Sequence, residues 1–125
     1  MLFRSAGQLS GAGFVSFLGN GTAVLTLSGN NTGLTGAMNF FNNSIVAISS
    51  ANNVGTGALN FSNGTLETTA TVTLANVVNL LAPKGTFQTD GSTTLTLTGG
   101  VSGAGQLVKT GTGTLNLAAP IILPA

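Results

Sequence analysis

The sequence predicts an all-β fold, a parallel β-solenoid of about six coils with roughly 21 residues in each. Three observations carry this. Small-polar-apolar triplets recur at Asn43-Ser44-Ile45, Gly64-Thr65-Leu66, Gly85-Thr86-Phe87 and Gly105-Gln106-Leu107, with a near-constant step from each to the next. Within each period apolar residues alternate with Thr, Asn or Ser, which is the pattern of a strand buried on one face. Clusters of Gly, Asn and Ser separate these runs and supply turns, some of which need positive φ.

The elements follow in chain order. The first turn region is SGAG at positions 10–13, followed by Gly19 and Gly21. Strands are expected at AVLTL (23–27), ALNF (58–61), TVTL (71–74), TTLTLT (93–98) and TLNL (114–117), with SGNN, SSANN and FSNG as intervening turns. Helix is disfavoured because Gly, Thr and Asn are abundant and no i, i+3, i+4 pattern persists. The one ambiguous run, ANVVNLLA at 75–82, reads as strand because of its β-branched pair Val77 and Val78. Stacked at about 4.8 Å per coil, the solenoid would be roughly 30 Å long. One inner column is expected to align Ile45, Leu66, Phe87 and Leu107, each contributing about 1.5–3 kcal/mol by burial. The whole chain, 1–125, reads as a single domain ending in an apolar tail at 118–125.

Composition narrows the function. Only Arg4, Glu67, Lys84, Asp90 and Lys109 carry charge, 4% of the chain. Little electrostatic repulsion therefore keeps copies apart. There is no Cys and no His, which removes disulfides, thiolate metal sites, the usual general base and the strongest nucleophile. Three scattered basic residues, with no Trp or Tyr, make no nucleic-acid footprint. The start MLFRSAGQLS lacks the apolar run of a secretory signal, and the stretch from Leu117 to Ala125, broken by Pro120 and Pro124, is too short to span a bilayer as a helix.

Individual residues add little chemistry. Glu67 and Asp90 are the only carboxylates, and they read as a solvent-facing charge and a turn former rather than an acid/base pair. Lys109 alternates with Leu107 onto one face, so its stem is expected to lie along apolar surface near a corner. The Asn-x-Ser/Thr triplets at Asn20, Asn30, Asn42, Asn60 and Asn63 arise from composition. The glycine pairs lack the helix and Lys-Ser/Thr of a phosphate loop. No catalytic residue, metal ligand or cofactor site is expected, and the chain reads as a non-enzyme.

The segment SGAGQLVKTGTGTLNL resembles the passenger-associated repeat of bacterial autotransporters, roughly G-x-G-x-L-x-K-x-G-x-G-x-L-x-L. The matching residues are Gly103, Gly105, Leu107, Lys109, Gly111, Gly113, Leu115 and Leu117. A partial copy places Gly11, Gly13, Gly19 and Gly21 in the same order, with Phe17 where the motif has Lys. Asn31-Thr32-Gly33-Leu34 lacks the Tyr of the turn that usually follows, and 125 residues hold no membrane barrel beside this passenger. The resemblance implies a right-handed parallel β-helix, exposed on or outside a Gram-negative cell, with host or matrix surface contact.

Two functions fit these observations. One is a structural subunit that stacks head to tail into an extracellular filament, joined through Leu2 and Phe3 at one end and Ile121, Ile122 and Leu123 at the other. The alternative is a stalk or adhesin segment of a surface-displayed passenger.

Overall fold

The structure, a computed structural model, describes residues 2–123, with side chains from Ser5 onward. It is a parallel β-solenoid of about five turns with about 21 residues per turn. Three parallel sheets form its walls. The first runs β1 (Leu2–Ser5), β3 (Val24–Leu27), β5 (Ile45–Ile48), β7 (Thr65–Thr68), β10 (Lys84–Thr89), β13 (Gln106–Thr110). The second holds β8 (Val72–Leu74), β11 (Thr94–Leu97) and β14 (Thr114–Leu117). The third runs β2 (Val15–Leu18), β4 (Met38–Phe41), β6 (Leu59–Ser62), β9 (Val78–Leu80), β12 (Val101–Ser102), β15 (Ile121–Ile122). Six passes along the first sheet enclose five complete turns, which is how a count of six repeats in the sequence becomes about five turns in space.

Alternation determines which face each strand buries. In β11, Leu95 and Leu97 are buried while Thr94 and Thr96 face outward. The ambiguous run at 75–82 does form a strand, β9, with Val78 and Leu80 buried and Val77 and Leu81 exposed. Stacking then turns alternation into columns. Leu25, Val46, Leu66, Phe87 and Lys109 are successive partners along the first sheet. Val15, Met38, Leu59, Val78, Val101 and Ile121 are the equivalent column of the third. Beside it the rings of Phe17, Phe40 and Phe61 stack at centroid distances of 5.4 and 4.7 Å, and Phe87 from the first sheet tilts onto Phe61 at 4.9 Å.

The expected column of Ile45, Leu66, Phe87 and Leu107 is correct only at its centre. Leu66 and Phe87 are partners, but Ile45 lies beside Thr65, and Leu107 lies beside Gly85. The coils differ in length: the step from Val46 to its partner Leu66 is shorter than the step from Phe87 to its partner Lys109. Corner turns absorb those differences, so a fixed step along the sequence slips off the strand register.

Asparagine amides tie together the early coils, which the second sheet does not reach. Oδ1 of Asn31 accepts from the Leu9 N–H (2.8 Å), and its Nδ2 donates to the Asn53 carbonyl (2.7 Å). Asn53 repeats the device: Nδ2 donates to the Gly29 carbonyl (3.0 Å), and Oδ1 accepts from the Ser49 and Ser50 N–H groups. On the outer face of the third sheet a second ladder runs through Asn79, Asn60, Asn39 and Ser16, with links of 2.8, 2.9 and 3.0 Å. Close approach also explains a glycine column at the corner before the third sheet. A Cβ on Gly57 would overlap the Gly36 carbonyl oxygen, and a Cβ on Gly36 would overlap that of Gly13.

Candidate functional site

A solenoid has two faces that its own coils do not cover, and the informative side chains gather there. In the first coil Phe14 and Leu18 lie on the outer side of the third sheet and are 72% and 68% exposed, while the inward-facing Phe17, the last ring of the stack, is half-buried at the N-terminal face. Their alignment follows from the register, which pairs Phe17 with the fully buried Phe40 and leaves it a neighbour on one side only. At the C-terminal face Leu115 and Leu117 are half-buried, whereas their partners Leu95 and Leu97, one coil inside, are fully buried. Ile121, which continues the inner Val101 column, is 39% exposed, Ile122, in line with the outer Asn79 column, is 72% exposed, and Leu123 packs half-buried against the core. The backbones of Leu2 and Phe3 form β1, the edge strand of the first sheet, while their side chains lie outside the described residues.

The motif residues divide by position. Gly103, Gly105 and Gly111 sit where a Cβ would overlap the carbonyl oxygens of Leu80, Leu81 and Thr89, so each permits one coil to close on the next. Gly113 is similarly tight against Thr93 and Thr89, and Gly19 against Ser44. Gly11 and Gly21 have φ of 106° and 87°, in the region that favours glycine. Leu107 and Lys109 share one side of β13, as alternation implies. Lys109 ends the Leu66–Phe87 column, and its Nζ donates to the Gly111 carbonyl at 2.8 Å and that of Thr110 at 3.3 Å.

The two motif copies do not occupy equivalent places. Positions 10–13 precede β2 of the third sheet, whereas positions 102–105 lead from the third sheet into β13 of the first. Gly105 lies more than four coils beyond Gly13 but short of five. Similar word order at the two ends therefore does not by itself make the ends complementary.

Glu67 and Asp90 come closer than expected. Gln88 is the register partner of Glu67, and Asp90 begins the turn after β10. The Glu67 carboxyl can donate to Asp90 only in its protonated form, which that contact therefore favours. Burial first, then that hydrogen bond and the Asp90 charge, push the Glu67 carboxyl from 4.5 up to about 7. The Gln88 amide also lies 3.4 Å from Asp90 Oδ1. The pair sits on the outer face of the first sheet, away from two surface depressions of about 250 and 180 Å³. The larger is bordered by Thr32, Asn52 and Asn76, the smaller by Leu18, Leu25 and Val46, with no charged side chain at either. The proximity was hidden because the chain from Glu67 to Asp90 runs past one full coil, and only the turn folds Asp90 back.

Among the described residues no helix is long and apolar enough to cross a membrane. Fold and ends together define the molecule as a parallel β-solenoid whose apolar columns are uncovered at both ends of the described chain. No family model, curated protein or solved structure matches it.

Proposed function

We propose that this chain is a non-catalytic structural β-solenoid that stacks end to end into an extracellular filament. The observation that carries this reading is the exposure gradient along the columns: fully buried at Leu95, Leu97, Phe40 and Phe61, and only half-buried at Leu115, Leu117 and Phe17. Each open column end leaves apolar surface in water at about 25 cal/mol per Å². The edge strands beside them carry backbone donors and acceptors that a further parallel strand would satisfy. A top-to-bottom contact between identical rods is heterologous and does not close, so it grows a fibre. A net charge of +1 gives no opposing field.

The extracellular setting rests on the likeness of positions 103–117 to autotransporter passengers. That likeness also supports the second reading, a stalk or adhesin segment within a longer passenger.

Negative-stain electron microscopy and sedimentation of the purified chain over a concentration series test the proposal. Expected are unbranched fibres that appear above a threshold concentration and diffract with a meridional spacing of about 4.8 Å. A monodisperse particle at every concentration overturns it.

A further inference from the structure

We infer that the joint between copies is a gap-free continuation of the coil, in which Val15 of one copy stacks on Ile121 of another and Gly13 closes over the Ala119 carbonyl. This deepens the stacking reading and rests on it. The columns define the alignment. Phe3 and Lys109 are the two ends of one column of the first sheet, and Val15 and Ile121 are the two ends of one column of the third. The arc from Phe3 to Val15 contains the same number of residues as the arc from Lys109 to Ile121. Inner coils are not uniform over this arc: Leu66 to Val78 is equal to it, Val46 to Leu59 is longer, and Phe87 to Val101 longer again. The matched arcs let the first coil lie on the last without a bulge. The same offset sets Leu9 over Leu115, both half-buried and packed on the core.

The glycines supply an independent observation. At Gly36 and Gly57 a Cβ would strike the coil beneath, towards the N-terminus, while Asn76 and Ala119 hold later places of the same column. Gly13 occupies the same column, yet nothing lies within 4 Å of the Cβ position, and its φ is not in the region that favours glycine. Gly7 is in the same situation: the coil above packs on it at Gly29, and its own underside is empty. Neither glycine has a steric reason within the described chain. A coil stacked beneath provides one for both, and the matched arcs place Ala119 under Gly13 and Gly113 under Gly7. The occupant proposed is a second copy, whose last coil spans this arc with the same number of residues as the first.

Gly13→Val tests the joint without disturbing the rod, since the added side chain meets none of the described residues. The variant should fold as wild type by circular dichroism and thermal melting but form no fibres. Its C-terminal face is unchanged, so it should cap wild-type growth. At about one variant per ten chains the mean fibre length should fall to about ten subunits, as expected for a one-sided stopper in a heterologous array. Fibres of unchanged length, with Gly13→Val assembling on its own, overturn this register and leave stacking standing. A wild-type chain that never assembles overturns stacking and the register together. Should Gly13→Val fail to fold, Gly7→Val carries the same test. Unfolding of both overturns the inference, because it means the undersides are already occupied.

Discussion

Truncation of Phe61 should be far more damaging than truncation of Phe17, although both belong to one stack. Phe61 is fully buried, with rings at 4.7 Å below and 4.9 Å above. Phe61→Ala removes a core aromatic side chain, a loss of about 3–5 kcal/mol. Two ring contacts add about 0.5–1.5 kcal/mol each. Phe17 is half-buried with one ring neighbour at 5.4 Å, so Phe17→Ala should cost about 1–2 kcal/mol. Urea titration of the unassembled chain, followed by circular dichroism, resolves the difference. With a slope of about 2 kcal/mol per M, Phe61→Ala should move the midpoint down by about 2 M or more and Phe17→Ala by less than about 1 M. In a stack where each coil touches only its neighbours, cost follows position. Equal midpoints for the two variants would refute that reasoning, as would a larger loss at Phe17.

Two further predictions concern polar groups of the first sheet. The folded chain holds the Glu67 proton to about pH 7 while the ordinary carboxyl releases it near 4.5. The stabilising contribution is therefore complete below about pH 4.5 and lost as pH rises through about 7, and the melting temperature should fall across that window. Glu67→Gln should flatten the fall, and a profile identical to wild type would contradict the assignment. The hydroxyls of Thr68 and Thr89, partners in the first sheet, are fully buried with no hydrogen-bond partner among the described residues. Thr68→Val and Thr89→Val should each raise stability by about 1 kcal/mol in chemical denaturation. Destabilisation by that amount would show that a bound water satisfies the hydroxyl.

Strand identity was legible because alternation is a local property: TTLTLT buries Leu95 and Leu97 however the next coil lies. Register was not, because it depends on how many residues each corner absorbs. The step from Leu2 to its partner Val24 exceeds that from Ile45 to Thr65 and falls short of that from Val78 to Val101. The Phe17, Phe40 and Phe61 stack follows from register within one sheet, but Phe87 joins it from another wall, at a separation no strand period supplies. The motif was legible as words and misleading as geometry. Its glycines are set by whatever lies beneath them, and the two copies stand over different corners. Glu67 and Asp90 are legible as the only carboxylates, but their contact depends on the turn after β10.

The outer ladder of asparagines has a direction. Asn79 donates to Asn60, Asn60 to Asn39, and Asn39 to Ser16, so every Nδ2 points toward the same end of the rod. The amide dipoles add head to tail and polarise one another, and reversing one would leave two donors facing each other. They must therefore turn together or not at all. One flank of the molecule thus carries a built-in arrow, and rods that meet side by side would be distinguishable as parallel or antiparallel from that flank alone.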